Sequence, residues 1–191
     1  NNEINLKNEI NNSQICKKII QLCKYLGCTF SVLSSGSVNS LEVIHLLRDL
    51  NYDYLLYSGY GGQIVGKSVL EISGKIIHIH AGYLPKYRGS TTIFYSLLKE
   101  RKVGVSAFLL TEKLDEGPIL LKREYEIGGE PFKLTQDFDD MMRAKLLFEL
   151  IAGLKNNEVF PKPRFQQGAS LSYYVIHPLL KHLSILSVDQ G

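Results

Sequence analysis

Between Gln14 and Leu26 apolar side chains fall at Ile15, Ile19, Leu22, Cys23 and Leu26, the interval of a helix, and Gly27 is placed to end it. Residues 1–13 are rich in Asn, Glu and Lys, carry no apolar period, and read as a polar segment outside the core. Thr29–Leu33 reads as a short strand. A turn over Ser34–Ser37 leads to a second helix, capped by Asn39 or Ser40, with Leu41, Ile44, Leu47 and Leu50 as its apolar stripe. Strands and helices then alternate: a strand at Tyr54–Tyr57, a short helix at Val65–Ser73, a strand at Lys75–His80 and a helix at Thr91–Glu100. Val103–Leu110 and Ile119–Ile127 are two strands close together in the chain. Thr135–Leu154 is the longest helix, with Thr135 as its cap and Phe138, Met141, Met142, Leu146 and Ile151 turned inward. Ser172–Ile176 is a last strand, followed by His177-Pro178 and a short apolar segment. This order predicts an open α/β sheet, mostly parallel, flanked by helices and with an antiparallel portion. The polar segment 1–13, one domain over 14–154 and an extension over 155–191, packed on the same domain, complete the organisation.

Composition narrows the class. At 191 residues and 45% hydrophobic content the chain can bury one ordinary core. No apolar run approaches the roughly 18 to 20 residues a bilayer requires. The Asn-rich start shows no secretory pattern, and Cys16, Cys23 and Cys28 are odd in number and close together. Reduced thiols in the cytoplasm are the expectation. The net charge of +3 is spread along the chain without a basic block, which argues against nucleic acid as a partner.

The chemistry concentrates in two stretches. In His78-Ile79-His80 the two imidazoles lie two apart on a strand and share a face. The loop behind them, Ala81 to Gly89, is stiffened by Pro85, released at Gly89, and sets Tyr87 and Arg88 beside the histidines. Further on comes an acidic loop, Lys113-Leu114-Asp115-Glu116-Gly117-Pro118-Ile119. Two histidines, a carboxylate and an arginine are sufficient for proton transfer near neutral pH. The glycine-rich turn of a nucleotide-binding sheet is absent; Gly59-x-Gly61-Gly62 has the wrong spacing and no long helix behind it. Asp137, Asp139 and Asp140 open the long helix, where negative charge suits the dipole, so they are read as helix-start residues and no metal site is expected.

These residues resemble the folate-dependent formyltransferase family, whose core runs Asn-x-His, then Leu-Pro-x-Tyr-(Arg or Pro)-Gly, then Asp-x-Gly-Pro-Ile. His80, Leu84-Pro85-Lys86-Tyr87-Arg88-Gly89 and Asp115-Glu116-Gly117-Pro118-Ile119 match in order and spacing. The similarity spans about residues 50–127 and continues more weakly beyond. It implies a Rossmann-like sheet and transfer of a formyl group from 10-formyltetrahydrofolate, as co-substrate, to a primary amine by direct attack, without a metal. In that scheme His80 moves the proton, Asp115 orients it, and His78 donates to the formyl oxygen. Gly61, Gly62, Gln63, Ile64, Val65, Leu114 and Asp115 would line the folate site, the glycines letting the backbone approach a flat pterin. Tyr87, Arg88 and Gly89 would meet the substrate. Two departures stand out: the family asparagine is His78 here, and two strand–helix units usual at the family's N-terminus, with their phosphate loop, are missing.

Other classes remain open. His-x-His on a strand also binds zinc in metal-dependent hydrolases, though those are commonly barrels of about 250 residues. A folate-binding or regulatory domain with impaired catalysis would keep the same motifs. Among acceptors, Arg88-Gly89-Ser90-Thr91-Thr92 looks most like the sugar-nucleotide branch, with Arg88 gripping a phosphate in two places. Glycinamide ribonucleotide and methionyl-tRNA are the alternatives. The partners expected are thus a small-molecule amine and no membrane, with a homo-oligomer left open.

Overall fold

The computed structural model describes residues 14–126, 138–157 and 160–189, and they fall into two compact units that divide between Asn51 and Tyr52. In the first unit the helical period is realised as α1 (Gln14–Tyr25). Gly27, at φ +68°, turns the chain out of the helix while the Cys28 amide donates back to the Cys23 carbonyl at 2.8 Å. The strand expected at Thr29–Leu33 does not form; no described strand pairs with it, and an extended segment becomes a strand only with a partner. Ser40, extended at ψ 154°, caps α2 (Leu41–Asp49) by accepting from the Val43 amide. Glu42 in the first turn of α2 gathers the amides of Ser34 and Ser35, which fixes the preceding turn.

The second unit is built on a sheet ordered β1-β2-β4-β5: β1 (Leu55–Tyr57), β2 (Ile76–His80), β4 (Lys102–Leu109) and β5 (Ile119–Glu126). β1 and β2 are parallel and joined through α3 (Lys67–Ser73); β2 with β4, and β4 with β5, are antiparallel. The α/β class with parallel and antiparallel portions is the one read from the sequence. β2, inside the sheet, is buried along nearly its whole length. Ile77 and Ile79 join Val103, Val105 and Ala107 of β4 in the main core, with α4 (Thr92–Glu100) and α5 (Phe138–Asn157) packed over them.

Along α5, Phe138, Met142, Leu146 and Leu150 are buried, a spacing of four that holds one face. Met141 and Ile151, expected inward, are 59% and 52% exposed, since each sits about 100° around the helix from that row. Thr135 and Asp137 lie outside the described residues.

A two-stranded parallel sheet pairs β3 (Tyr87–Gly89) with β6 (Leu171–Tyr173) and ties the loop behind β2 to the C-terminal part of the chain. The segment after His177 is a full helix, α6 (Pro178–Asp189), packed on α4, with the Lys181 ammonium over the Phe94 ring. Among the described residues no helix is long and apolar enough to cross a membrane.

Candidate active site

Strand alternation puts His78 and His80 on the face of β2 opposite Ile77 and Ile79, and the register sets them beside Phe108 and Ser106 of β4. The loop that follows is anchored from the sheet. The buried Ser106 hydroxyl donates to the Gly82 carbonyl at 2.7 Å and accepts from the Leu84 amide at 3.0 Å. Lys122 of β5 donates to the Leu84 carbonyl at 2.8 Å and lies 4.0 Å from the centre of the Tyr83 ring. A Cβ at Gly82 would strike His80 Nε2 and the Tyr87 carbonyl, so only glycine lets the loop close on the histidine.

His80 is buried, with Nε2 2.9 Å from the Tyr87 carbonyl and Nδ1 3.8 Å from Asp115 Oδ2. Asp115 is equally buried, and the same Oδ2 accepts from the Gly89 amide at 2.7 Å. The acidic loop leaves β4 at the opposite end of β2, where the Leu110 amide bonds the Ile76 carbonyl, and doubles back to bring its carboxylate to His80. That course needs Asp115 at φ +52° and a glycine at 117, where a Cβ would collide with the Leu109 carbonyl.

His78 is half-buried. Its Nδ1 lies 3.2 Å from the Tyr57 carbonyl, which can only accept, so Nδ1 carries the hydrogen. Burial holds its proton affinity below the usual imidazole range; the Tyr57 carbonyl and Asp115 oppose that shift, while His80 and Arg143 add to it. The neutral ring therefore presents a lone pair on Nε2, which has no hydrogen-bond partner among the described residues. In this tautomer Nε2 of a neutral His78 is an acceptor. The residue borders a cavity of about 200 Å³ that is walled mostly by apolar groups, Leu56, Ile79, Ala144 and Leu147 among them, with Tyr57, Ser58, Asp140 and Arg143 at its polar side. Arg143 is paired there with Asp139 and Asp140.

Tyr87 and Arg88, read from the sequence as substrate contacts, are both held by partners within the chain. The Tyr87 ring is 1% exposed and stacked on Tyr173, and its hydroxyl donates to Glu100; burial, then that carboxylate, push the phenol well above its ordinary range. Tyr87 serves the site through its carbonyl, on His80. Arg88 is engaged by Glu116 at 3.0 Å and by Gln166 at 2.8 Å, which uses the guanidinium faces a phosphate would need. Gly89 contributes its amide to Asp115.

Of the residues that the family resemblance assigns to folate, Gly61 and Gly62 face open space, and Gly62, at φ +88°, needs to be glycine. Gln63 accepts from the Tyr57 hydroxyl at 2.8 Å, and Val65 is buried, so only its backbone can reach a ligand. Ile64 and Leu114 are 70% and 61% exposed, apolar surface of the kind a flat ring covers. The sequence reading missed Ser106, Lys122 and Gln166. Ser106 carried a signal, a hydroxyl inside an apolar strand that must find partners. Gln166 carried none.

No cluster of three or more His, Cys, Asp or Glu side chains that could hold a metal ion occurs among the described residues. Residues 7–142 match the family model described as formyl transferase. The chain is 32% identical over 142 residues to the methionyl-tRNA formyltransferase of Thermodesulfovibrio yellowstonii, covering 73% of this chain and 46% of that protein. It thus spans about half the length of the relatives it matches. Its fold is similar to that of a sugar N-formyltransferase from Shewanella sp FDAARGOS_354, with a TM-score of 0.57 at 19% identity over 79% of this chain and 65% of that one. It is also similar to the formyltransferase PseJ from Anoxybacillus kamchatkensis, solved with UDP-4,6-dideoxy-4-formamido-L-AltNAc and tetrahydrofolate. There the TM-score is 0.50 at 23% identity, over 65% of each chain. With a family match that takes in both histidines and Asp115, this chain belongs to the formyl transferase family.

Proposed function

We propose that this chain transfers a formyl group from 10-formyltetrahydrofolate to a primary amine. The observation that carries the reading is the buried approach of His80 to Asp115, 3.8 Å apart, on the strand face that also carries His78. The amine nitrogen forms a bond to the formyl carbon, the bond from that carbon to the folate nitrogen breaks, and a proton passes from the amine to the folate. His80 moves that proton, Asp115 keeps the ring aimed, and His78 Nε2 accepts an N–H of the incoming amine, which turns the nitrogen lone pair toward the formyl carbon. Folate fits against Gly61, Gly62, Ile64 and Leu114, where open glycine backbone and exposed apolar side chains offer a surface for a pterin.

The acceptor we favour is an amino-sugar nucleotide. The positive charge is scattered along the chain without a basic block, which suits a small molecule better than RNA. The sequence relatives favour a second reading, in which the amine is that of methionyl-tRNA. Tetrahydrofolate release should be followed with UDP- and dTDP-linked amino sugars and with methionyl-tRNA in parallel. Turnover with an amino-sugar nucleotide alone supports the first reading, and turnover with the tRNA alone replaces it. Binding of 5-formyltetrahydrofolate without turnover on any amine would leave a folate-binding domain instead.

A further inference from the structure

Asp115 reaches His80 only because its loop reverses direction, and one side chain from far along the chain holds that reversal. Gln166 lies between α5 and β6, 51 residues after Asp115. Its Nε2 donates to the Asp115 carbonyl and to the Gly117 carbonyl, each at 2.8 Å. Its Oε1 accepts from Arg88 Nη2 at 2.8 Å and Arg88 Nε at 3.3 Å. The amide therefore uses both of its hydrogens and both lone pairs. Its orientation is fixed by chemistry, since carbonyls only accept and a guanidinium only donates. Arg88 completes the link through Glu116, and the amide and carbonyl of Arg164 pair with those of Ile119 at 2.9 and 2.8 Å, which lays the Gln166 segment along the end of the loop.

We infer that Gln166 is the positioning residue of the site: it sets the backbone of Asp115 so that the carboxylate faces His80, and through Arg88 it locks that loop to the one carrying Gly89. Asp115 needs such support at its backbone. Its φ of +52° is a conformation an L-residue with a Cβ holds only when its surroundings impose it. The described contacts that hold the backbone there are the pair of hydrogen bonds from Gln166 to carbonyls 115 and 117, the longer bond from the Glu116 amide to the Lys113 carbonyl at 3.4 Å, and the bond from the Leu109 amide to the Pro118 carbonyl at 2.9 Å, with Gly117 making room beneath. Without the two from Gln166 the carbonyls turn to water and the carboxylate loses its fixed direction. The Gly89 amide still reaches Oδ2, but the second restraint on the loop is gone.

This inference rests on the formyl-transfer reading for its consequence, not for its structural content, and the experiment separates the two. Gln166→Glu keeps size and the acceptor for Arg88 but puts oxygen against two carbonyl oxygens; Gln166→Asn keeps the amide one methylene short. Hydrogen–deuterium exchange read on residues 113–118 and on the Gly89 amide should speed up in both variants while exchange in β4 stays as in the parent. Turnover on the acceptor that the parent formylates should fall about tenfold to a hundredfold in kcat, the scale of a misaimed catalytic group. KM for amine and folate should stay within about twofold, and the pH–rate profile should change shape because His80 loses its oriented carboxylate. Gln166→Asn should be the milder of the two.

Unchanged exchange at 113–118 in both variants overturns the inference, as does a fall in turnover carried by KM with kcat intact. If Gln166→Glu does not fold, Gln166→Asn decides by the same readings. If the parent formylates no amine, the exchange measurement still decides whether Gln166 holds the loop, and it is the functional reading that fails.

Discussion

His78 stands at the position the family fills with asparagine, and its surroundings decide what the exchange costs. The Tyr57 carbonyl fixes the tautomer, and burial keeps the ring neutral. Because the proton affinity is lowered in the folded chain, unfolded His78, with a pKa of about 6.5, binds a proton that the native ring does not. Its contribution to stability is fully present above that value and declines as pH falls toward the lower native pKa. Urea midpoints measured from about pH 7.5 to about pH 5 should therefore drop more steeply for the parent than for His78→Asn, which carries no titrating ring. The groups facing His78, which are His80, Asp115, Arg143 and Asp140, are the same in both proteins, so the difference isolates this residue. His78→Asn should also retain or raise formyl transfer, because the amide both donates and accepts. His80→Asn and Asp115→Asn should each lower turnover about a hundredfold or more, the usual scale for losing acid–base catalysis, with circular dichroism unchanged.

The loop between β2 and β3 is shaped from β4 and β5 as much as from its own sequence. Ser106 is the main tie, bonded on one side to the Gly82 carbonyl and on the other to the Leu84 amide, with no exposure to water. Ser106→Ala leaves both partners buried and unpaired, so denaturant unfolding should show a loss of about 2 kcal/mol. Turnover should fall as well, since Gly82 and Tyr87 together place His80. A Ser106→Ala protein as stable as the parent would mean that water reaches the loop from behind and replaces the hydroxyl. The pairing of β3 with β6 acts from the other side, bringing the Tyr173 carbonyl onto the Ser90 amide at 2.9 Å.

For the second unit as a whole, ligand binding gives the broadest check. A reduced folate that binds the native state alone stabilises it by mass action, about 2.7 kcal/mol at a hundred times Kd. For a chain of this size that is a rise of about 5 to 10 °C in Tm. Thermal melts with 5-formyltetrahydrofolate should show it, and melts unmoved at millimolar ligand would count against a folate site. Gly62→Val, which puts a branched side chain at φ +88° on the proposed face, should abolish the shift.

The helices and the longer strands were legible in the sequence because their causes are local: apolar period, caps such as Ser40, and a turning glycine at 27. So was the approach of His80 to Asp115, since their spacing follows a shared pattern, and strand alternation alone puts His78 on the same face as His80. Other features waited on the fold because their causes are distant. The three-residue strands β3 and β6 exist only through one another, and no propensity marks a strand that short. Thr29–Leu33 shows the converse, a β-prone run with no partner among the described strands. The fates of Tyr87 and Arg88 were set by Glu100, Glu116 and Gln166, none of which their neighbours in sequence announce. The proton on His78 was set by a backbone carbonyl, a group every residue carries, and only the packing of β1 against β2 decides which carbonyl a ring nitrogen meets.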